Sequence, residues 1–232
     1  MKFKHVIACI FCLLLVVTAF AQDCDNALFL KEGNALVYNS YNKKGKALNQ
    51  TIHTTKFIDI QNDWREATID AEVISVSNDD TFITEYKASC ENGLIGIEMA
   101  RFFNGATLAK YNPDDFVISM DGDVLEFPSE LEEGSNLNDG SFSAEIANQT
   151  ATFITITFEI TNRKVANKET ITTKAGTFDC QKITYNYSTK AGIKVQGSGA
   201  DWYTENRILV RSESYNRKGK LQGYTELIEI KE

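Results

Sequence analysis

Histidine is almost missing from this chain, with only His5 and His53 in 232 residues. His5 sits in an N-terminal stretch with the pattern of a removable leader, so the mature protein keeps one imidazole. One imidazole cannot build the usual two- or three-His zinc or iron site. It would suffice for a Ser-His-Asp triad, but no G-x-S-x-G or other local mark of a nucleophile accompanies it. His53 therefore reads as an exposed residue on a Thr-rich strand. G-x-x-x-x-G-K-S/T and G-x-G-x-x-G are both absent, and Ala175-Gly176-Thr177 holds too little glycine to cradle a phosphate. Cys180 has no C-x-x-C partner, which argues against thioredoxin-type chemistry. Two prolines, no Ser/Gly-rich run and no block of one charge leave nowhere to divide the chain. No cofactor is expected.

Lys2 and Lys4, the apolar run Val6–Val17 and Ala19-Phe20-Ala21 have the order of a secretory leader, cut after Ala21. The run is shorter than the roughly 18 residues a membrane span needs. Val6-Ile7-Ala8-Cys9 resembles a lipoprotein cleavage box, but Cys9 precedes most of the apolar run. Cys24 has no small apolar run before it. Residues 1–21 are thus read as leader and 22–232 as one domain, long enough to bury roughly 70% of its unfolded surface. Acids outnumber bases 32 to 24, a net charge of −8, and losing Lys2 and Lys4 makes the mature chain more acidic still. Such a surface disfavours nucleic acid and anionic membranes.

The stretch Glu169–Tyr187 organises the rest. A short strand, Glu169–Thr173, turns at Lys174-Ala175-Gly176 into Thr177–Tyr187, and Thr, Ile, Phe and Tyr dominate both arms. Strands are likewise expected over Ala35–Tyr41, Thr51–Ile60, Glu66–Val76 and Thr81–Ser89. Asn92-Gly93 makes a two-residue hairpin that opposes Cys90 with Ile95, Ala88 with Ile97 and Tyr86 with Met99. Asp121-Gly122 predicts another hairpin, between Phe116–Met120 and Asp123–Phe127. Ala151–Thr161 alternates cleanly, with Ile154, Ile156, Phe158 and Ile160 on one face. Ile193–Tyr203, Ile208–Tyr215 and Gly223–Ile230 close the chain. Ala106–Tyr111 is the single helical candidate, stopped by Pro113. Asp114, Asp115, Asp121, Asp123 and Glu126 could hold calcium, but their spacing fails the EF-hand pattern and Asp-Gly serves a turn equally well.

One repeat stands out. Tyr41-Asn42-Lys43-Lys44-Gly45-Lys46 returns as Tyr215-Asn216-Arg217-Lys218-Gly219-Lys220, and Thr51 and Thr225 share its 174-residue offset. Either one good hairpin turn is used twice, or Lys43, Lys44, Arg217 and Lys218 form basic tips that touch a partner. Trp202-Tyr203 is the most suggestive pair for ligand contact, against an ordinary packing role. Cys24, Cys90 and Cys180 remain after cleavage, giving one disulfide and one thiol, or three thiols. Cys24 lies on an arm nothing else tethers and Cys90 beside a hairpin end, whereas Cys180 packs mid-strand. The expected bridge is Cys24–Cys90.

Thr173-Lys174-Ala175-Gly176-Thr177-Phe178-Asp179-Cys180-Gln181-Lys182-Ile183, then Trp202-Tyr203, then Leu209–Lys220 resemble the TapB-like group of exported bacterial proteins. That group is related to a wider domain-of-unknown-function family of Gram-negative bacteria. Leu125-Glu126-Phe127-Pro128-Ser129 and Ser89-Cys90-Glu91-Asn92-Gly93 fit as well, and the resemblance spans about Cys24 to Ile230. Thr204-Glu205-Asn206-Arg207 departs from the group, where a glycine is expected before the last strand pair. The resemblance implies an exported, β-rich, non-enzymatic protein and transfers no catalytic residue.

The fold class expected is all-β with one short helix: an antiparallel, strongly curved sheet or incomplete barrel, a lipocarrier-like half-barrel being the most concrete form. The function expected is an exported, non-catalytic binding or interaction module in the periplasm or on the surface of a Gram-negative bacterium. Its partner would be an envelope protein or an apolar small molecule. A periplasmic carrier of lipid is the alternative, and a carboxylate-based hydrolase a more distant one. A continuous apolar cavity would favour the carrier, and a filled interior the module.

Overall fold

The computed structural model describes Cys24 and residues 27–62, 64–103, 117–148 and 151–232. The helical candidate Ala106–Tyr111, the leader, and Asp114 and Asp115 lie outside the described residues. Among the described residues thirteen strands form one antiparallel sheet: β1 Ala35–Asn42, β2 Ala47–Gln61, β3 Trp64–Ser75, β4 Thr81–Glu91, β5 Leu94–Glu98, β6 Val117–Gly122 and β7 Val124–Phe127, then β8 Gly140–Ala147, β9 Thr152–Thr173, β10 Gly176–Ala191, β11 Ile193–Tyr203, β12 Leu209–Asn216 and β13 Leu221–Lys231. Their lateral order is β6-β8-β9-β10-β11-β12-β13-β1-β2-β3-β4-β5-β7. Most neighbours are hairpin partners, so the sheet is two meanders sewn together where β13 pairs with β1.

The two edges of this sheet, β6 and β7, are consecutive in sequence with only Asp123 between them. One extended segment therefore pairs with β8 through its first half and with β5 through its second. That crossing curls the sheet into a nearly closed barrel. It also corrects the hairpin expected at Asp121-Gly122, because β6 and β7 run on rather than reverse. Gly122 is there for close approach: a Cβ on it would lie 2.6 Å from Phe142 Cβ. Asp123 takes the backbone N–H and hydroxyl of Ser141 at 2.7 and 2.9 Å instead of closing a turn.

Alternation decides which face is inside. Ala67, Ile69, Ala71 and Val73 of β3, Ile95 and Ile97 of β5, and Ile160, Ile183 and Leu227 are all buried. Each large aliphatic side chain so buried stabilises the fold by roughly 1.5–3 kcal/mol before entropy is counted. Asn92 and Gly93 both take positive φ, 49° and 80°, as the two-residue loop requires. Cys90 opposes Ile95 and Ala88 opposes Ile97 as the loop dictates, but β5 ends at Glu98 and Met99 opens a 3-10 turn over Met99–Phe102. The two separate strands expected at Ala151–Thr161 and Glu169–Thr173 are one strand of 22 residues. A bulge absorbs the polar stretch between them: Asn162 sits at φ 55° and the next residue, Arg163, turns inward and is buried.

The N-terminal arm plugs one end. Its 3-10 turn, Leu28–Leu30, buries Phe29 and Leu30. Thr55 Oγ donates to the Phe29 carbonyl at 2.9 Å, and Gly33 N–H donates to the Thr55 carbonyl at 2.9 Å. Cys24 is bonded to Cys90 across 66 residues of chain, and Cys180 is a free, buried thiol. On the outer face of the sheet Cys180, Ala200, Trp202 and Val210 make a small second core.

Three outcomes follow from this packing. Gly122→Ala should lower the unfolding free energy by about 1–3 kcal/mol, the cost of forcing a methyl into packed neighbours, as read from a denaturant midpoint. Removing the Cys24–Cys90 link by Cys24→Ser should cost about 4 kcal/mol in the chain-entropy account of a loop this long. Non-reducing peptide mapping of the secreted protein should find the Cys24–Cys90 cross-link with Cys180 alkylatable only after unfolding.

Candidate functional site

Strand register sets a polar row across the inside of the barrel. Asp201 of β11 pairs with Ser212 of β12, Ser212 with Thr225 of β13, and Thr225 with Ser40 of β1. Asp201 is buried and accepts hydrogen bonds from Tyr185 at 3.0 Å, Tyr203 at 3.1 Å and the Ser212 hydroxyl. Burial raises its pKa, against the pull of those three donors and of the Arg101 charge. Ser40 and Thr225 share a hydroxyl hydrogen bond of 2.9 Å.

Beside this row lies a cavity of about 170 Å³. Tyr38, Ser40, Thr51 and His53 form one wall, Ser212, Thr225 and Leu209 another, and the 3-10 turn brings Arg101, Phe102 and Phe103 across it. His53 is not on the exposed face expected for it. It points inward with its ring edge-on to Tyr38 and Tyr86, centroids 5.3 and 5.6 Å apart, and Nδ1 lies 3.1 Å from the Tyr86 hydroxyl. The reason is parity: His53 opposes Ala71, and Ala71 shares the inward face of β3 with Ile69 and Val73. Burial, reinforced by the charge of Arg101, holds the His53 pKa down to about 3. The imidazole is therefore neutral, and Arg101 is the cation among the described residues that line this cavity. Tyr38 is 2% exposed, and its hydroxyl is buried without a hydrogen-bond partner among the described residues.

The repeated turns meet outside. Because β13 pairs with β1, the β12–β13 and β1–β2 tips lie side by side, and Lys43 N–H donates to the Gln222 carbonyl at 3.0 Å. Each tip is built alike. Asn42 Oδ1 accepts from Lys44 and Lys46 N–H at 2.8 and 3.1 Å, and Asn216 Oδ1 from Lys218 and Lys220 N–H at 2.9 and 3.1 Å. Gly45 and Gly219 hold φ near +76° and +70°. Tyr41 stacks on Tyr224 at 4.9 Å between them. Lys43, Lys44, Lys46, Arg217, Lys218 and Lys220 are all exposed. Arg217 reaches Gln196 of β11, and the next tip adds exposed Lys190 and Lys194. The turn on the other flank carries Asp79 and Asp80.

Trp202 and Tyr203 are not brought together, because adjacent strand residues point to opposite faces. Tyr203 is inside, bonded to Asp201. Trp202 is in the outer core, with Nε1 on Glu169 at 2.7 Å and the Lys182 ammonium 4.8 Å from its ring centre. Both are buried. Arg101 escaped sequence reasoning entirely. It sits in a turn with no periodic pattern, and its one cue is a basic residue between Met99 and Phe102 in an otherwise apolar run.

Comparison with known proteins places the chain. The sequence pattern of the family described as DUF3108-like matches residues 31–227. The chain belongs to the DUF3108-like family. No curated protein matches it. A crystal structure from Bacteroides fragilis NCTC 9343, described as a presumed exported protein with a YmcC-like fold, superposes with a TM-score of 0.75 at 23% identity, covering 87% of this chain and 97% of that one. A presumed lipoprotein from Parabacteroides distasonis ATCC 8503 gives 0.74 at 25% identity, covering 90% and 100%. These likenesses show that this DUF3108-like protein shares their fold. Among the described residues no helix is long and apolar enough to cross a membrane.

His53 supplies the pH test of this interior. Its folded pKa lies below its unfolded value near 6.5, so the unfolded chain binds the extra proton. Its contribution to stability should be complete above pH 6.5 and drain away as pH falls toward 3. The imidazole C2–H resonance of the folded mature protein should stay at its neutral position from pH 8 to pH 5. His53→Gln should flatten the pH dependence of the unfolding midpoint between pH 6.5 and 5.

Proposed function

We propose that this DUF3108-like protein is an exported, non-catalytic interaction module of the Gram-negative cell envelope that docks an acidic partner protein on its basic rim. The observation that carries the reading is the convergence of Lys43, Lys44, Lys46, Arg217, Lys218 and Lys220 on two fused hairpin tips in a chain of net charge −8. A single-sign patch against an opposite background steers and orients a complementary surface. The tips are tightly hydrogen-bonded, so the charges are presented on a rigid frame.

Export is supported by the leader pattern at the N-terminus and by the neighbours described as an exported protein and a lipoprotein. Within the family, the Thr173–Ile183 and Leu209–Lys220 segments favour the TapB-like group. Cys24 has its sulfur in a disulfide, which speaks against a lipid thioether at that position. The state of three buried groups supports the non-catalytic reading. His53 at about 3 is too weak a base at neutral pH, and burial and Asp179 push the Cys180 thiol up to about 11. Asp201 already accepts from three hydroxyls. The interior cavity, at about 170 Å³, falls below the roughly 300–1,000 Å³ of ordinary ligand sites. That size favours the module over a lipid carrier.

Photo-crosslinking residues placed at Lys44 and at Lys218 of the exported chain in its own envelope should give the same discrete protein adduct. Lys174, at the opposite end of the barrel, should give none. Reversing Lys43, Lys44, Arg217 and Lys218 to Glu should leave the thermal midpoint nearly unchanged and reduce the adduct by about tenfold or more. An adduct indifferent to these reversals, or equal from both ends, overturns the reading. Recovery of the wild type on phosphatidylglycerol vesicles without any protein adduct would replace the protein partner with a lipid surface.

A further inference from the structure

We infer that the interior cavity is a binding site for a small organic carboxylate, with Arg101 as its charge partner and the Tyr38 hydroxyl as a donor held in reserve. The volume is about 170 Å³. It suits a short-chain acid and excludes a whole lipid. Three features of the wall define the ligand's chemistry.

The first is charge. Arg101 lies on the cavity wall while His53, beside it, is held neutral. Asp201, the one buried acid among the described residues, accepts from three hydroxyls, so its charge is answered locally before Arg101 is counted. A guanidinium in a low-dielectric pocket prefers a planar carboxylate over a neutral group.

The second is the Tyr38 hydroxyl. A buried hydroxyl without a partner is costly, and native proteins rarely keep one without use. This one belongs to a residue that is 2% exposed and lines the cavity. An acceptor oxygen in the cavity would satisfy it. Ser212 and Thr51 add hydroxyls on two sides, while Phe102, Leu209 and Val73 offer apolar surface for a few methylenes.

The third is position. Ser40 lies two residues before Asn42, where the first basic tip begins, and Thr225 lies four residues after Leu221, where the second ends. The cavity therefore sits just inside the cationic rim, whose field raises the local concentration of small anions.

The test uses the mature, disulfide-intact protein. Acetate, butyrate and the neutral butyramide are titrated at matched ionic strength, following the amide NMR signals of Thr51, Ser212 and Thr225. Saturable, single-site shifts are expected with butyrate, and binding of butyramide should be weaker by about tenfold or more. Tyr38→Phe should keep or raise the unfolding midpoint of the free protein yet weaken butyrate binding about fivefold or more, since it deletes a hydroxyl that only a ligand satisfies. Arg101→Gln should erase the preference for acid over amide. No saturable shift with either acid, equal binding of butyrate and butyramide, or unchanged butyrate affinity in Tyr38→Phe each overturns the inference. None of these results bears on docking at the outer tips.

Discussion

Everything in this molecule depends on how the sheet is shut. A curled sheet leaves two edges of unpaired N–H and C=O groups, and burying such an edge without partners is prohibitive. Here β6 and β7 are one strand that exchanges partners at Asp123. Where β7 nears β9, side chains bridge the gap, while β9 itself bonds to the stretch Gly134–Leu137: Gly134 N–H to the Val165 carbonyl, Val165 N–H to the Ser135 carbonyl and Leu137 N–H to the Arg163 carbonyl, each at 2.9 Å. Asn138 Oδ1 accepts from Glu126 N–H at 3.3 Å, and Arg163 Nη1 donates to the Asn138 carbonyl and Oδ1 at 2.8 and 3.0 Å. The same guanidinium lies 4.8 Å from the centre of the Phe127 ring. Beyond the end of β7, Arg207 repeats the device, donating to the carbonyls of Pro128 and Ser129 at 2.7 and 2.9 Å. A planar fork with five donors can serve several carbonyls at once, which an ammonium cannot do in that fixed geometry.

Arg207 also answers the departure at Thr204–Arg207. The resemblance leads to a glycine there, and the structure shows what a glycine would supply, since Arg207 adopts φ 58°. The chain accepts left-handed backbone on a bulky residue, which costs about 1–3 kcal/mol, and gains a side chain that ties β7 to the β11–β12 turn. Burial lowers the Arg207 pKa to about 10, still well above neutrality, so the tie keeps its charge. Shutting the barrel in this way creates an inside, and the polar row from Asp201 to Ser40 lies there among aliphatic and aromatic packing, with His53 and Arg101 beside it.

Local chemistry was legible in the sequence and closure was not. Asn92-Gly93, Asn42–Gly45 and Gly176 each encode a turn within four residues, and the alternation of Ala67, Ile69, Ala71 and Val73 names its own inward face. The arm at Cys24 and the mid-strand position of Cys180 were readable for the same reason. By contrast, Asp121-Gly122 carries the letters of a turn. It runs straight because Gly122 must pass Phe142, a contact 20 residues away. His53 misleads in a related way: its strand alternates Thr and other small polar groups on both faces, so polarity gives no parity. Only the pairing with β3 reveals that Thr51 and His53 look inward. Trp202-Tyr203 shows the converse, since adjacency in sequence guarantees opposite faces in a strand.

The repeat ties the outside to the inside. One turn sequence, used after β1 and again after β12, gives twin basic tips only because β13 lies beside β1. The same register carries the shared 174-residue offset inward, where Thr51 and Thr225 both line the cavity. Each tip is followed by a bulge, since the register steps over Leu48 of β2 opposite Ser40–Tyr41 and over Gln222 of β13 opposite Ser214–Tyr215. A hairpin solution that merely reverses a chain would leave its flanks free to be apolar. Here Ser40 and Thr225 oppose one another and bond across the junction. The rim of positive charge and the hydroxyl-lined wall beneath it are therefore consequences of one local motif placed twice in adjoining strands.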